Sequence, residues 1–400
     1  MKLIENPFSL LHLPFGVVNF GETPHVCVRL DDYAISLDML RRKHLFKTLA
    51  LEERHTRTDS LHPLLEMSHD ELNTLREALV QILGRGDHLN VAGCMKTLEP
   101  YPEEDPKVRI PIQPRDFVDF YCSRHHAHRV GCLFRGPENA LPEQYFDLPI
   151  GYHGRSSTIF GSGTPVARPQ GIVKGDSPSL KPSERLDYEL EVGFVLRGHR
   201  GPLSPDEAWD LIFGVVLVND WSARDIQSFE YKPLGPFLGK SFATTIANWV
   251  TPIAALTDWC CPNEDSQHEV LPHLSESEHH HLDLPLTATL LTQAREEVEI
   301  CSTNLKNLAW SAAQMVSHLS SNGTILSPGD LIATGTVSGP EQGSRACLLE
   351  LTDGGKTPFV SGSVSRTFLQ DGDAVVLLGG HQDLGLAPCR GQILPQRPTS

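Results

Sequence analysis

Basic residues are scarce in this 400-residue chain. Lys and Arg total 34 against 50 Asp and Glu, a formal net charge of −16. Such a surface repels phosphate backbones, which argues against nucleic acid as the main partner. It argues equally against docking on anionic membranes. Long apolar runs are also missing. The longest, Leu211 to Val218, falls far short of the ~20 residues that a spanning helix needs. Glu5, Pro7 and Pro14 break up the start, so no secretory signal is expected. The nine cysteines follow no framework spacing. They read as reduced thiols in a cytoplasmic protein, and without secretion the sequon at Asn322 carries no meaning.

Proline (30) and glycine (32) are plentiful, which favours short strands and tight turns over long helices. At 40% hydrophobic and 21% charged residues, the chain can bury a real core and is not disordered throughout. Val26 to Leu37 alternates as a small β unit does. A helix follows: Ser68 and Glu71 form a capping box, Leu72, Leu75, Leu79, Ile82 and Leu83 make one stripe, and Gly84 stops it. Residues 1 to 110 read as an accessory unit. The prolines from Pro102 to Pro114 (with Pro106 and Pro111) read as a linker.

Residues 111 to 400 carry mostly strand candidates: Leu190–Leu196, Gly214–Val218, Leu284–Leu291, Ala346–Leu351 and Ala374–Leu378. Two helices interrupt them. One opens at the capping box Ser204-Pro205-Asp206-Glu207; the other carries Leu308, Ala312, Met315, Val316 and Leu319 and is closed by Gly323. The polar stretch 257–283 holds Asp258, Cys260, Cys261, His268, His273 and His279 to His281. Its spacing fits no zinc-ligand template, so a solvated acidic loop is the preferred reading over a zinc site.

The chemically informative segment is Leu186-Asp187-Tyr188-Glu189-Leu190-Glu191-Val192. On a strand Glu189 and Glu191 share one face, roughly 6.6 Å apart, close enough to share an ion. A solvent-exposed polar face is the alternative. Asp220 ends an apolar segment and is followed by Trp221 and Arg224, a context that suits a site. If Asp119 to His126 is helical, the two lie on one face about 10.5 Å apart along the axis, a metal carboxylate and a base two turns away. A structural histidine is the alternative. Four carboxylates (Asp119, Glu189, Glu191, Asp220) suit Ca²⁺ or Mg²⁺, with Lys240 nearby to offset the remaining charge.

Several stretches resemble the fumarylacetoacetase (fumarylacetoacetate hydrolase) family. They are Asp119-Phe120-Tyr121, Leu148 to Arg155, Asn219 to Gln227, Glu230 to Phe242 and Gly329 to Glu341. The resemblance runs from about residue 112 onward and extends weakly to Leu13–Val17. It implies a mainly β (α+β) protein, with a small N-terminal SH3-like barrel before a catalytic β-sandwich roll, active as a homodimer. The implied reaction is hydrolysis of the C–C bond of 4-fumarylacetoacetate, a small diketo acid, to fumarate and acetoacetate, the last step of tyrosine and phenylalanine catabolism. Acylpyruvate hydrolases and decarboxylases of the wider superfamily are the nearest rivals, and a catalytically silent binding homologue is a more distant one.

The resemblance also implies roles. Asp119, Glu189, Glu191 and Asp220 would ligate Ca²⁺, and Asp220, Lys240 and Thr244 would border a Mg²⁺ site. His126 would be the base, oriented by Glu350. Arg224, Gln227 and Lys240 would face the oxyanion. Tyr121, Arg135, Tyr152, Gln227, Tyr231 and Thr336 would line the substrate site.

Overall fold

Alternating apolar residues between turn signals produce two β layers and a smaller N-terminal sheet. The computed structural model describes residues 8–47, 49–84, 91, 93–98, 107–263, 269–381 and 384–396. Pro102, Pro106 and His268 lie outside these residues. Helices are few and mostly short.

The N-terminal sheet has five strands, in the order Met95–Thr97, Tyr33–Ser36, Thr23–Leu30, Phe15–Phe20 and Val108–Arg109. The helix His69–Gly84 buries Leu75, Leu79 and Leu83, and its Ser68–Glu71 capping box forms. This unit is bonded to the rest of the chain: Phe15 and Val250 exchange N–H···O bonds of 2.8 and 2.7 Å. The Pro111 carbonyl accepts from the Leu61 N–H at 2.9 Å.

The central sheet has eight strands. Gly151–His153, Phe117–Phe120, Leu331–Ala333, Leu190–Leu196, Ile212–Asp220, Thr244–Ile246 and Ile159–Gly161 follow in that order, and Thr251–Pro252 also pairs with Ile212–Asp220. The two middle strands, Leu190–Leu196 and Ile212–Asp220, are buried at every residue. The reason is a second layer: the five-stranded sheet of Glu297–Asn304, Pro285–Leu291, Ala374–His381, Leu384–Leu394 and Val166–Ala167. The layers interlock closely. The Trp221 ring lies where a Cβ on Gly391 would be, 2.4 Å from its Cζ2.

Three expectations change. Ala346–Leu351 is not a strand. Leu348–Leu351 forms a helical turn because the Asp187 carboxylate accepts the N–H groups of Leu348 and Leu349 at 2.8 and 2.9 Å. Asp119 and His126 do not share a helix. Asp119 lies within the strand Phe117–Phe120, and Ser123 then caps the helix Arg124–Arg135 by accepting from the His126 N–H. The stretch 257–283 is more than a solvated loop. Leu274, His280, His281 and Leu282 are buried, and it packs against the helix Ala312–Ser320. His280 stacks on Trp209 and bonds Asp206 through Nε2 at 2.9 Å.

The helix Arg124–Arg135 sits close to the turn after it. A Cβ on Gly131 would lie 1.7 Å from the Ala140 carbonyl oxygen. Gly131→Ala should therefore destabilise the fold by about 1–3 kcal/mol, measured by urea unfolding; an unchanged midpoint would contradict this packing.

Candidate active site and metal centre

Strand register gathers the acidic residues. Asp119 pairs with Ala333 on one side and Tyr152 on the other. Ala333 pairs with Gly193, two residues from Glu191 on the same face. Glu191 pairs with Val218, two residues from Asp220, and Asp220 pairs with Thr244. One end of one sheet face thus carries Asp119, Glu191, Asp220, Tyr152 and Thr244. Glu189 arrives from the connection just before its strand. The exposed-face alternative is overturned: Glu189 and Glu191 are 4% and 0% exposed.

Oxygens of Asp119, Glu189, Glu191 and Asp220 all lie within 4.8 Å of one another. Their partners are unequal. Lys240 Nζ donates to Glu189 and, at 2.6 Å, to Asp220. Arg224 Nη1 meets Glu189 at 2.7 Å. Thr244 Oγ1 and Tyr152 Oη donate to Asp220 at 2.9 and 3.2 Å. Both oxygens of Glu191 and Oδ1 of Asp119 are buried without a hydrogen-bond partner.

The electrostatics follow this division. Burial opposes ionisation of Glu189, but Lys240, Arg224 and His126 outweigh it and hold the carboxyl well below its usual range. Burial also opposes the Lys240 ammonium, which Asp220 and Glu189 nevertheless keep charged. At Glu191, burial and then the charges of Asp119, Asp220 and Glu189 push the carboxyl upward. At Asp119, burial, Asp220 and Glu189 do the same. Four carboxylates against two cations leave a formal −2, which a divalent cation would cancel. An all-oxygen donor set with orphaned, buried carboxylate atoms fits a hard dication.

A cavity of about 290 Å³ opens beside this cluster. Asp119, Tyr121, His126, Arg135, Tyr152, Glu189, Arg224, Gln227, Tyr231, Lys240 and Thr336 all face it. His126 enters from the first turn of its helix, with Nε2 4.0 Å from Glu189 Oε1. Its Nδ1 lies 2.6 Å from Glu350 Oε2. Burial would raise the Glu350 carboxyl, but His126, Ser338 and Arg129 hold it at about 2. Glu350 is therefore an acceptor, and Nδ1 carries the proton.

Around the wall, Tyr121 meets the His126 ring edge-on at 5.5 Å. Arg135 is half-committed, with Nε and Nη2 donating to the carbonyls of Asn139 and Ala140. Arg224 Nη1 donates to Gln227 Oε1 at 3.1 Å, while Arg224 Nη2, Tyr231 Oη and Thr336 Oγ1 are buried with no partner. Two supports escaped the sequence reading. Asp187 holds Arg224 Nε at 2.9 Å. Arg129 and Ser338 both bond Glu350. Arg129 stands three residues from His126, a helical spacing that could have pointed to it.

Comparison with known proteins matches both parts of the chain to one family. Residues 11–99 match the family described as fumarylacetoacetase N-terminal, and residues 116–393 match fumarylacetoacetate (FAA) hydrolase C-terminal. The chain belongs to the fumarylacetoacetase family. It is 38% identical to the fumarylacetoacetase of Oryza sativa subsp. japonica, over 98% of this chain and 95% of that protein. It is 36% identical to that of Homo sapiens, over 98% and 97%. In fold it is similar to a fumarylacetoacetate hydrolase from psychrophilic Exiguobacterium antarcticum (TM-score 0.56, 16% identity, 96% of this chain and 99% of that one). It is also similar in fold to a maleylpyruvate hydrolase from Sphingobium sp. SYK-6 (TM-score 0.53, 14% identity, 96% and 99%). Among the described residues, no helix is long and apolar enough to cross a membrane.

Burial and the neighbouring carboxylates raise the Asp119 and Glu191 carboxyls, so without a metal each keeps its proton to higher pH than a free carboxyl does. A divalent cation taking these carboxylates would have to displace those protons, so its affinity should rise with pH and its binding should release protons. The metal-free protein should correspondingly lose stability as pH climbs through the raised range. Calorimetry in two buffers of different ionisation enthalpy measures the release; none would contradict the site. Glu191→Gln should weaken divalent-cation binding roughly tenfold or more, since it removes one carboxylate charge from the quartet.

Proposed function

We propose that this protein hydrolyses the C–C bond of 4-fumarylacetoacetate to fumarate and acetoacetate, closing tyrosine and phenylalanine catabolism. The supporting observation is the juxtaposition of a buried carboxylate quartet with a carboxylate-held imidazole across one cavity. Identity to curated fumarylacetoacetases over nearly the full chain supports the choice of substrate.

Asp119, Glu189, Glu191 and Asp220 would hold Ca²⁺, and Asp220, Lys240 and Thr244 would border a Mg²⁺ site. Bound there, a hard dication supplies Lewis acidity toward a substrate carbonyl. The protein's own groups do the rest. His126 Nε2 takes a proton from water, whose oxygen bonds to the carbonyl carbon. Glu350 keeps the Nδ1 proton in place and stabilises the imidazolium that forms. Arg224 Nη2 and the Gln227 amide face the developing oxyanion together with Lys240, each worth roughly 3–4 kcal/mol in comparable sites. The oxyanion then re-forms a carbonyl, and the C–C bond electrons leave as an enolate. The imidazolium returns its proton to that carbanion, which leaves His126 neutral. Arg135 would pair with a substrate carboxylate, and Tyr121, Tyr152, Tyr231 and Thr336 would shape the pocket.

We also read residues 1–110 as the accessory unit and residues 111–400 as the catalytic unit. A homodimer is supported by exposed apolar side chains near the cavity: Phe229, Leu234, Phe237 and Leu238, with Ile172 and Leu180 on the hairpin beside helix Arg224–Glu230. A cytoplasmic location fits the buried free thiols of Cys27, Cys94, Cys122, Cys301, Cys347 and Cys389.

The test is turnover followed by loss of diketone absorbance, with an acylpyruvate run in parallel. Fumarylacetoacetate should be the preferred substrate, and a preference for the acylpyruvate would overturn the reading. His126→Ala should lower kcat by roughly 10²–10⁴-fold while leaving Ca²⁺ binding intact. Normal kcat in that variant would remove the base assignment.

A further inference from the structure

Three separate segments converge behind the imidazole. Glu350 sits in the helical turn Leu348–Leu351, His126 in the helix Arg124–Arg135, and Thr336 in the segment that follows strand Leu331–Ala333. Backbone bonds join them in part, from Cys122 N–H to the Thr334 carbonyl at 3.1 Å and from Gly339 N–H to the Ser344 carbonyl at 2.9 Å, and side-chain bonds fix the rest.

Arg129 makes those bonds. Its Nη1 donates to Glu350 Oε1 at 3.2 Å. Its Nη2 donates to the carbonyls of Gly339 at 2.9 Å and Pro340 at 2.7 Å. The other carboxylate oxygen, Oε2, accepts from His126 Nδ1, from Ser338 Oγ at 2.7 Å and from Cys347 Sγ at 3.3 Å. Both ends of the carboxylate are thus fixed. Freed at Oε1, the carboxylate would be held through Oε2 alone and could pivot about that end, changing the angle at which it meets the imidazole. The same guanidinium ties down the far end of the segment that carries Thr336 and Ser338. Ser338 is itself held on its carbonyl by Ser123 Oγ at 2.8 Å, at the cap of the His126 helix.

We propose that Arg129 is a positioning residue for the hydrolytic step. By holding Glu350 and the Gly339–Pro340 carbonyls at once, it keeps the His126 imidazole and the Thr336 wall in one fixed relation. A planar fork with several donors can serve both partners simultaneously; a lysine ammonium is a point donor and cannot span them in the same way. Arg129 stands outside the cavity lining and contributes no contact to the carboxylate quartet. Its effect therefore falls on turnover and not on metal retention.

The proposal rests on the His126 reading above, and the experiment separates the two. The full-length wild type, Arg129→Ala, Arg129→Lys and His126→Ala are compared on fumarylacetoacetate, with melting temperature and Ca²⁺ affinity measured for each. Arg129→Ala should lose roughly 10–100-fold in kcat, the scale of a small misplacement of a reacting group, with KM and Ca²⁺ affinity changed far less. Arg129→Lys should recover part of the loss, and guanidinium chloride at non-denaturing concentration should partly restore Arg129→Ala. Wild-type kcat in Arg129→Ala beside an inactive His126→Ala overturns the role of Arg129 alone. An active His126→Ala overturns the reading beneath it. If Arg129→Ala does not fold, Arg129→Lys decides: reduced kcat at an unchanged melting temperature supports the proposal, and unchanged kcat overturns it. A loss shared equally by kcat/KM and melting temperature, with no guanidinium rescue, marks a purely structural residue and also overturns it.

Discussion

Four carboxylates buried within reach of one another are the constraint on which the site depends. Their mutual repulsion and lost hydration are offset in part by Lys240 and Arg224, which serve Glu189 and Asp220. Glu191 and Asp119 have no ion pair of this kind, and both oxygens of Glu191 and Oδ1 of Asp119 are buried without a hydrogen bond. A fold that needed only stability would fill these positions with apolar residues. Their presence at one end of a fully buried pair of strands makes sense if a hard cation completes the set.

The surrounding structure couples this cluster to the imidazole. Asp187 is the joint. Its carboxylate accepts from Arg224, which reaches Glu189, and from the first N–H groups of the turn that presents Glu350. A displacement at either side is therefore felt at the other. Charge is arranged in the same sense: cations flank the acidic quartet, and donors with unfilled capacity, such as Arg224 Nη2, sit beside the cavity. A chain of net charge −16 can in this way present a locally receptive pocket to an anionic substrate.

Much of this was legible from the residues. Alternation over Leu190–Leu196 and the apolar run into Asp220 identified the two middle strands, and two capping boxes located their helices. Glu189 and Glu191 could be named because acidic side chains beside an otherwise apolar strand need a partner, and Asp220 because it ends an apolar run, whereas Asp119 was reached through a helical spacing that the structure replaces with a strand. Other features were hidden for physical reasons. The turn at Leu348–Leu351 owes its form to Asp187, over 160 residues earlier in the chain. Such a contact leaves no local signal. The Asp119–His126 spacing suggested a helix, yet Ser123 restarts the backbone between them. The histidine-rich stretch looked solvated because polarity was its main local signal, whereas Trp209 and Asp206 bury His280 against a helix.

The most direct measurement is turnover of fumarylacetoacetate by protein stripped with a chelator and then titrated with Ca²⁺ or Mg²⁺. Activity should vanish on stripping and return with about one ion bound per acidic quartet, as expected for a hard dication completing an all-oxygen site. Full activity in rigorously metal-free protein would contradict the account.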